Sequence, residues 1–556
     1  MTARKHRRVF RSPVAGLLLL TAQLSFGQGT EAPAAATNAA SRADLELRGA
    51  TIRAIHITVD NIFDLTNPEE DKRLYRWANR VHVRTHENVI ASVLLFQVGD
   101  RFSARQLEES ARALRNAGYI ATANVEPRNY DAAANSVEVE VRVRDSWTLA
   151  PELRLSHNGG KSKYTIGVTD DNLLGTGKKV IVQHSSNVDR NETSLGYRDG
   201  HVRGSRVNLS LTASDATDGH NRSIESGRPF YSLDTRWALG GVMRNQQRVD
   251  NMYDLGEQVD EFRHDVKFLS LSGGVSRGAT DNRAQRWLFG VTSDEDAFQA
   301  TPGTLLPSLL PENRKLVYPW VGWQLRVDDY RELSELNDIG RTEDVALGWN
   351  VLATVGFSKR QFGADRDATL IDTSVQKGWE TGGPGRLLLF NAAASTRLER
   401  DESHNTQISA AATYYRRNLE KHLFSVSLST LVTQRLDREN QVLLGGDNGL
   451  AGYPLRFQAG ERRAILNVEQ RFFTDWYPWR LFRVGYAVFA DVGHVGGRDP
   501  RSQPGVGTLY DVGAGLRLSS PRSSGRLVVH VDLAFPLNRT PTIDRSQLVV
   551  ETRSSF

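Results

Sequence analysis

From Trp147 to the carboxyl terminus the chain holds no sustained helical period, and apolar residues alternate with small or polar ones from one turn to the next. Val345, Leu347, Trp349, Val351, Ala353, Val355 and Phe357 fall on one face of an extended chain, with Ala346, Gly348, Asn350, Thr354, Gly356 and Ser358 on the other. Phe424, Val426 and Leu428 alternate with Ser425, Ser427 and Ser429. Tyr510, Val512, Ala514, Leu516 and Leu518 alternate with Asp511, Gly513, Gly515, Arg517 and Ser519. Runs of this kind suit a lipid-embedded β-barrel, because hydrocarbon solvates no backbone polar group and closure pairs them all. A soluble sandwich with one buried face produces the same alternation. Strand length, an export signal and the aromatic last residue Phe556 favour the barrel.

Residues 1–27 read as that signal. Arg4, Lys5, Arg7, Arg8 and Arg11 form a basic n-region, Val14 to Ala22 an apolar core too short to span a bilayer, and Ser25-Phe26-Gly27 a cleavage site. Residues 28–44, rich in Ala and Thr, read as a flexible linker. The whole chain carries +5, and the signal's five basic residues account for all of it, so the basic balance is no argument for nucleic acid. There is no cysteine, and disulfides play no part in an exported protein of this size.

Residues 45–146 have the pattern of a small α/β domain. Ile52, Ile55, Ile57 and Val59 mark a first strand, and Pro68 opens a helix with Glu69, Glu70 and Asp71 in its first turn. A second helix covers Asn88 to Phe96. Ser103 is placed to cap a third, which shows Leu107, Ala111 and Leu114 on one face and ends at Gly118. Strands Ile120 to Pro127 and Ser136 to Val143 close the unit.

Leu443 to Phe473 combines three glycine turn signals with a following strand, and a loop this long is uncommon unless it is functional. It resembles the conserved loop of the BamA/TamA outer-membrane assembly superfamily. Asp171-Asn172-Leu173-Leu174-Gly175-Thr176-Gly177 is similar to the start of those barrels, and Phe489-Ala490-Asp491-Val492-Gly493 to the strand after the loop. Gly99-Asp100-Arg101-Phe102-Ser103 with Gly118-Tyr119-Ile120 looks like a POTRA module. The sequence itself offers sixteen to nineteen candidate strands. The resemblance implies an all-β transmembrane β-barrel of about 16 antiparallel strands over 147–556, a lumenal loop at 435–460, and an N-terminal periplasmic α/β POTRA-like domain at 45–146. It also implies a seam between the first strand, near Trp147, and the last, ending at Phe556.

Family members carry Arg-Gly-Tyr or Arg-Gly-Phe in the loop, whereas this chain has Ala451-Gly452-Tyr453. Parity places Glu469 and Asp491 in the lumen, where the family arginine would meet such acids. Arg456 is the nearest cation able to replace it, either by pairing with Asp491 or Glu469, or remaining solvated while those acids find other partners. No nucleophile elbow, phosphate loop or HExxH spacing occurs, so no enzyme, metal or cofactor is expected. The function expected is assisted insertion, assembly or translocation of unfolded polypeptide clients at the outer membrane, in contact with lipid and with periplasmic or lipoprotein accessory partners. The alternatives are a passive porin-like channel and a two-partner-secretion-type transporter.

Overall fold

The computed structural model describes residues 41–554 apart from 384, 420, 504, 525, 526 and 542. The signal segment, most of the 28–44 linker and Phe556 lie outside the described residues.

The linker ends earlier than composition suggests. Ser41 and Asp44 form a reciprocal capping box, which satisfies backbone donors at the start of helix Arg42–Leu47. Strand Thr51–Asp60 runs parallel to Ser136–Asp145, which pairs antiparallel with Ile120–Asp131 on its other side. Val137, Val139, Val141 and Val143 are buried beneath helices Glu87–Val93 and Ala104–Asn116. The remaining helix, Arg73–Val81, begins five residues later than Pro68. The acids expected in its first turn are used elsewhere: Glu70 is buried, accepts from the Asp64 N–H at 2.8 Å and meets Arg522, while Glu69 meets Arg480. Ser103 stands at the predicted cap position but its hydroxyl makes no cap bond.

Among the described residues the rest of the chain forms a closed antiparallel barrel of twenty strands, from Leu149–Asn158 to Gln547–Ser554. The resemblance implies about sixteen. The sixteen to nineteen candidates read from the residues also fall short: early strands such as Asn191–Asp199, with Leu195 and Tyr197, and Gly219–Arg228, with Ile224, carry few apolar residues, so alternation announces them weakly. The apparent strand from Val345 to Phe357 is also two elements. Thr342–Ala346 pairs with Tyr330–Ser334 in a separate hairpin, and Asn350–Ser358 belongs to the barrel.

Elsewhere parity holds. Tyr486, Val488, Tyr510, Val512 and Leu516 are exposed on the outer wall, while Asp491, Asp511 and Arg517 are buried inside.

The α/β module packs on the turns at one mouth. His86 N–H donates to Gly175 O at 3.0 Å, and Arg206 to Val93 O at 3.3 Å. Helix Ala104–Asn116 adds a row of cations: Arg105 meets Asp234, Arg112 meets Asp328 at 2.7 Å, and Arg115 joins Asp344 at 2.5 Å and Glu332 at 2.7 Å. Burial lowers the basicity of Arg115, but its two carboxylate partners outweigh that and hold it above its ordinary range.

Hairpin 330–346 is gripped at its base by this helix and carries its tip, 335–341, into the barrel. Leu336 and Ile339 pack there against Leu387, Tyr415, Leu423 and Phe473. Glu343 caps the tip by accepting the N–H groups of Leu336, Asn337 and Asp338.

Arg115 and Asp344 are almost fully buried, so removing Arg115 leaves the Asp344 carboxylate uncompensated at a cost of about 3 kcal/mol, removing Asp344 costs less because Glu332 still meets Arg115, and removing both costs less than the sum. Hydrogen-exchange protection of helix Ala104–Asn116 should therefore drop in Arg115→Ala and Asp344→Ala and partly recover in the double variant.

Candidate functional site

The loop singled out in the sequence enters the lumen from the mouth opposite the module. Val442–Leu444 and Gln458–Gly460 pair as a short antiparallel ribbon, and everything between folds back on itself. Leu444, Leu450, Tyr453 and Phe457 are buried with Ile465 and Leu509 of the barrel wall, which makes the loop an apolar plug rather than a mobile strap.

The Gly-Tyr pair is fixed by geometry that tolerates little else. Gly452 N–H donates to Asp511 Oδ2 at 3.0 Å, and a Cβ at Gly452 would lie 2.8 Å from the Asp511 Cβ and 3.0 Å from Pro536 N. Tyr453 is wholly buried, and its hydroxyl donates to Tyr510 O at 2.9 Å and accepts from Tyr510 N–H at 3.2 Å. Gly449 adopts φ +100°, a conformation that excludes most side chains, while Asn467 Nδ2 donates to its carbonyl at 2.8 Å and to Asp491 Oδ1 at 2.7 Å.

Ala451 faces a polar lumenal cavity of about 450 Å³, lined also by Glu469, Asp491, Arg517, Asp532 and Glu551. A longer side chain at position 451 would enter this space. In its place the barrel wall supplies the cations: Glu469 pairs with Arg471 at 2.8 Å and Arg517 at 2.9 Å, and Arg517 also meets Asp532 at 2.5 Å.

Arg456 goes elsewhere. It pairs with neither Asp491 nor Glu469 but with Asp189 in the turn after strand Lys178–Ser186, through two bonds of 2.8 and 2.7 Å. Its guanidinium lies 4.2 Å from the Tyr253 ring centroid, and Tyr253 Oη and Asn251 Nδ2 donate to the same carboxylate at 2.7 and 3.1 Å. The reason is local: Glu469 is already met by Arg471 and Arg517, Asp491 accepts from Asn467, and Arg456 sits in a left-handed turn (φ 53°) beside the outer rim. Burial pushes the Asp189 carboxyl up, but hydrogen bonds from Arg456 and Tyr253 outweigh it and hold the group well below the usual carboxylate range. Asp189, Asn251 and Tyr253 carry no motif, and only the fold brings them to the loop.

The seam is thin. Among the described residues the last strand, Gln547–Ser554, pairs with the first, Leu149–Asn158, at one register position, Val550 with His157. On its other side it pairs with Leu527–Pro536 from Leu527 and Ser554 to Ala534 and Gln547. Trp147, expected at the seam, lies below it. Its N–H donates to Arg522 O at 2.8 Å and its carbonyl accepts from Ser524 N–H at 2.9 Å, so the chain entering the first strand is attached to a turn two strands before the end.

An α/β module with sheet order first-third-second, docked on a closed barrel with an inserted loop, frames the comparisons. Residues 81–145 match the family model POTRA, described as surface antigen variable number repeat. The amino-terminal domain is POTRA-like over that stretch.

No curated protein matches the chain in sequence. Among solved structures, CdiB from Escherichia coli is 15% identical with a TM-score of 0.47, covering 91% of this chain and 76% of that one. CdiB from Acinetobacter baumannii is 11% identical with a TM-score of 0.45, covering 91% and 74%. BamA from Haemophilus ducreyi lacking POTRA domains 1-3 is 12% identical with a TM-score of 0.38, covering 91% and 85%. In this chain the POTRA module holds the hairpin plug directly, through Arg115 and Asp344.

Arg456→Ala removes charge-assisted bonds of about 1.5–3 kcal/mol in total and should lower the temperature at which the barrel unfolds in a gel-shift assay. A carboxylate held below its ordinary pKa stabilises the fold above that pKa and loses the contribution as pH falls. The difference between Arg456→Ala and wild type should accordingly stay constant from about pH 8 to 5 and shrink below about pH 4. Gly452→Ala, which forces Asp511 aside, should destabilise by about 1–3 kcal/mol in the same assay.

Proposed function

We propose that this chain is an outer-membrane barrel that assists the insertion or translocation of polypeptides, with its POTRA module in the periplasm. The observation that carries the reading is a barrel closed along its seam by one register pair among the described residues, while its lumen is filled from both mouths. A strand edge with few partners is a template for another strand. An extended client that pairs with Gln547–Ser554 or Leu149–Asn158 exchanges water for sheet hydrogen bonds, and this needs no nucleotide and breaks no covalent bond. We read the chain as non-enzymatic on that basis.

The outer wall supports the membrane placement. Leu239, Leu271, Trp287, Val291, Ile408 and Val488 are exposed on successive and opposite strands of the wall, and apolar side chains exposed all round a barrel suit a lipid contact. The passive channel is the second reading, supported by the polar cavity under Ala451. It requires both plugs to leave, since the tip 335–341 is held by Arg471 to Leu336 O at 2.7 Å and by Ser519 to Asp338 at 2.6 Å.

A photo-crosslinker placed at His157 or Val550 should capture an unfolded outer-membrane polypeptide during reconstitution, and one at Val321 on the opposite wall should not. Equal capture at all three positions, together with steady conductance in planar bilayers, would replace the assembly reading with the channel.

A further inference from the structure

We propose that helix Arg73–Val81 of the POTRA module is a membrane-surface anchor that lies in the phospholipid headgroup layer beside the barrel. The inference rests on the barrel being membrane-embedded. The helix has three faces. Tyr75 and Ala78 are buried against Ile62, Phe63, Trp147 and Leu481. Leu74, Trp77 and Val81, spaced three and four residues apart, form a stripe that is 56%, 55% and 48% exposed. Lys72, Arg73 and Arg80 supply exposed positive charge on the flank, while Arg76 is tied to Asp71 at 2.8 Å.

An exposed apolar stripe bordered by cations has no use in water. It is the composition of a helix that lies in an interface, with its aliphatic and indole groups at the acyl boundary and its cations among phosphates.

Its surroundings identify the occupant as lipid. The helix docks on the turn after strand Arg462–Phe473: Tyr75 Oη donates to Trp479 O, and Arg480 meets Glu69. That turn exposes Trp476 at 65%, Trp479 at 71% and Phe482 at 44%. On the wall just above it Phe472 and Tyr486 stack at 4.7 Å, and farther round the same rim Trp349 and Trp379 meet edge to face at 6.3 Å. Aromatic residues gathered at one rim mark where a barrel leaves hydrocarbon. Trp77 and Leu74 share a groove of about 270 Å³ with Phe482 of that rim, so the helical stripe continues the barrel's own girdle onto the module. Net positive charge on the stripe's border matches anionic phosphates, not a cationic or neutral partner.

The chain has no cysteine, so single replacements report unambiguously. Full-length Trp77→Cys, Val488→Cys and His56→Cys would each carry an environment-sensitive fluorophore in phosphatidylcholine and phosphatidylglycerol vesicles doped with nitroxide lipid labelled both at the headgroup and along the acyl chain. Val488 reports the outer wall, and His56, on the exposed sheet face of the module, reports bulk water. Quenching of the fluorophore in Trp77→Cys should approach that in Val488→Cys and exceed that in His56→Cys. It should fall when Arg73→Glu and Arg80→Glu are added, because each cation near an anionic surface contributes about fivefold to binding.

Quenching in Val488→Cys with none above background in Trp77→Cys would overturn the anchor and leave the embedded barrel standing. No quenching in Val488→Cys would overturn both. A Trp77→Cys fluorophore shielded from quencher lipid but shifted by an added unfolded peptide would overturn the lipid assignment and give the stripe to polypeptide.

Discussion

In the membrane placement proposed above, a strand facing hydrocarbon has nowhere to send its N–H and C=O groups except to the strand beside it, and the rest of this structure fits how that demand is met. Around most of the wall it is met by long ladders, such as that between Trp237–Asp254 and Glu257–Thr280. Between first and last strands it is met by Val550 and His157 among the described residues. Trp147 compensates from below: by bonding to Arg522 and Ser524 it pins the start of the first strand to the far side of the gap. The seam is thus weak in its ladder and held at its base. This is the distribution expected of a boundary that opens locally without the barrel losing its closure.

The plugs fit the same logic. A wide barrel with a hollow lumen would leak, and here two independent loops fill it. The loop from the far mouth is fixed by apolar burial of Leu444, Leu450 and Tyr453 and by the rim pair of Arg456 with Asp189. The hairpin at the module's mouth is fixed by Glu343 and by contacts to Arg471 and Ser519. Arg341 of that hairpin donates to Ser523 O at 2.9 Å, and Ser523 bridges to Trp147. A continuous set of contacts therefore runs from helix Ala104–Asn116 through the hairpin to the base of the seam.

Much of this is legible in the chain. Alternation over 510–518 and 484–492 puts Asp491, Asp511 and Arg517 inside, and the structure has them there, because a period of two leaves one wall face per parity. The module's strands are readable from the run of valines at 137 to 143. The strand count is not, since polar strands such as Asn191–Asp199 are held by their neighbours' ladders rather than by their own pattern. Nor is the hairpin at 330–346, whose Val345 alternates in step with the barrel strand after it. The partner of Arg456 escapes the sequence for a general reason: charge pairing depends on which turns meet in space, and Asp189 is 267 residues away.

The absent loop arginine now has a structural context. Ala451 faces a cavity where Arg471 and Arg517 already meet Glu469, so the loop keeps its place by packing and by its rim pair. The central claim, that polypeptides are handled at the seam, is tested most directly by locking it. His157→Cys/Val550→Cys places two cysteines at the paired position in a chain that has no others. Oxidation should abolish client insertion or translocation in proteoliposomes, and reduction should restore it. Undiminished client handling by the fully oxidised protein would contradict the account.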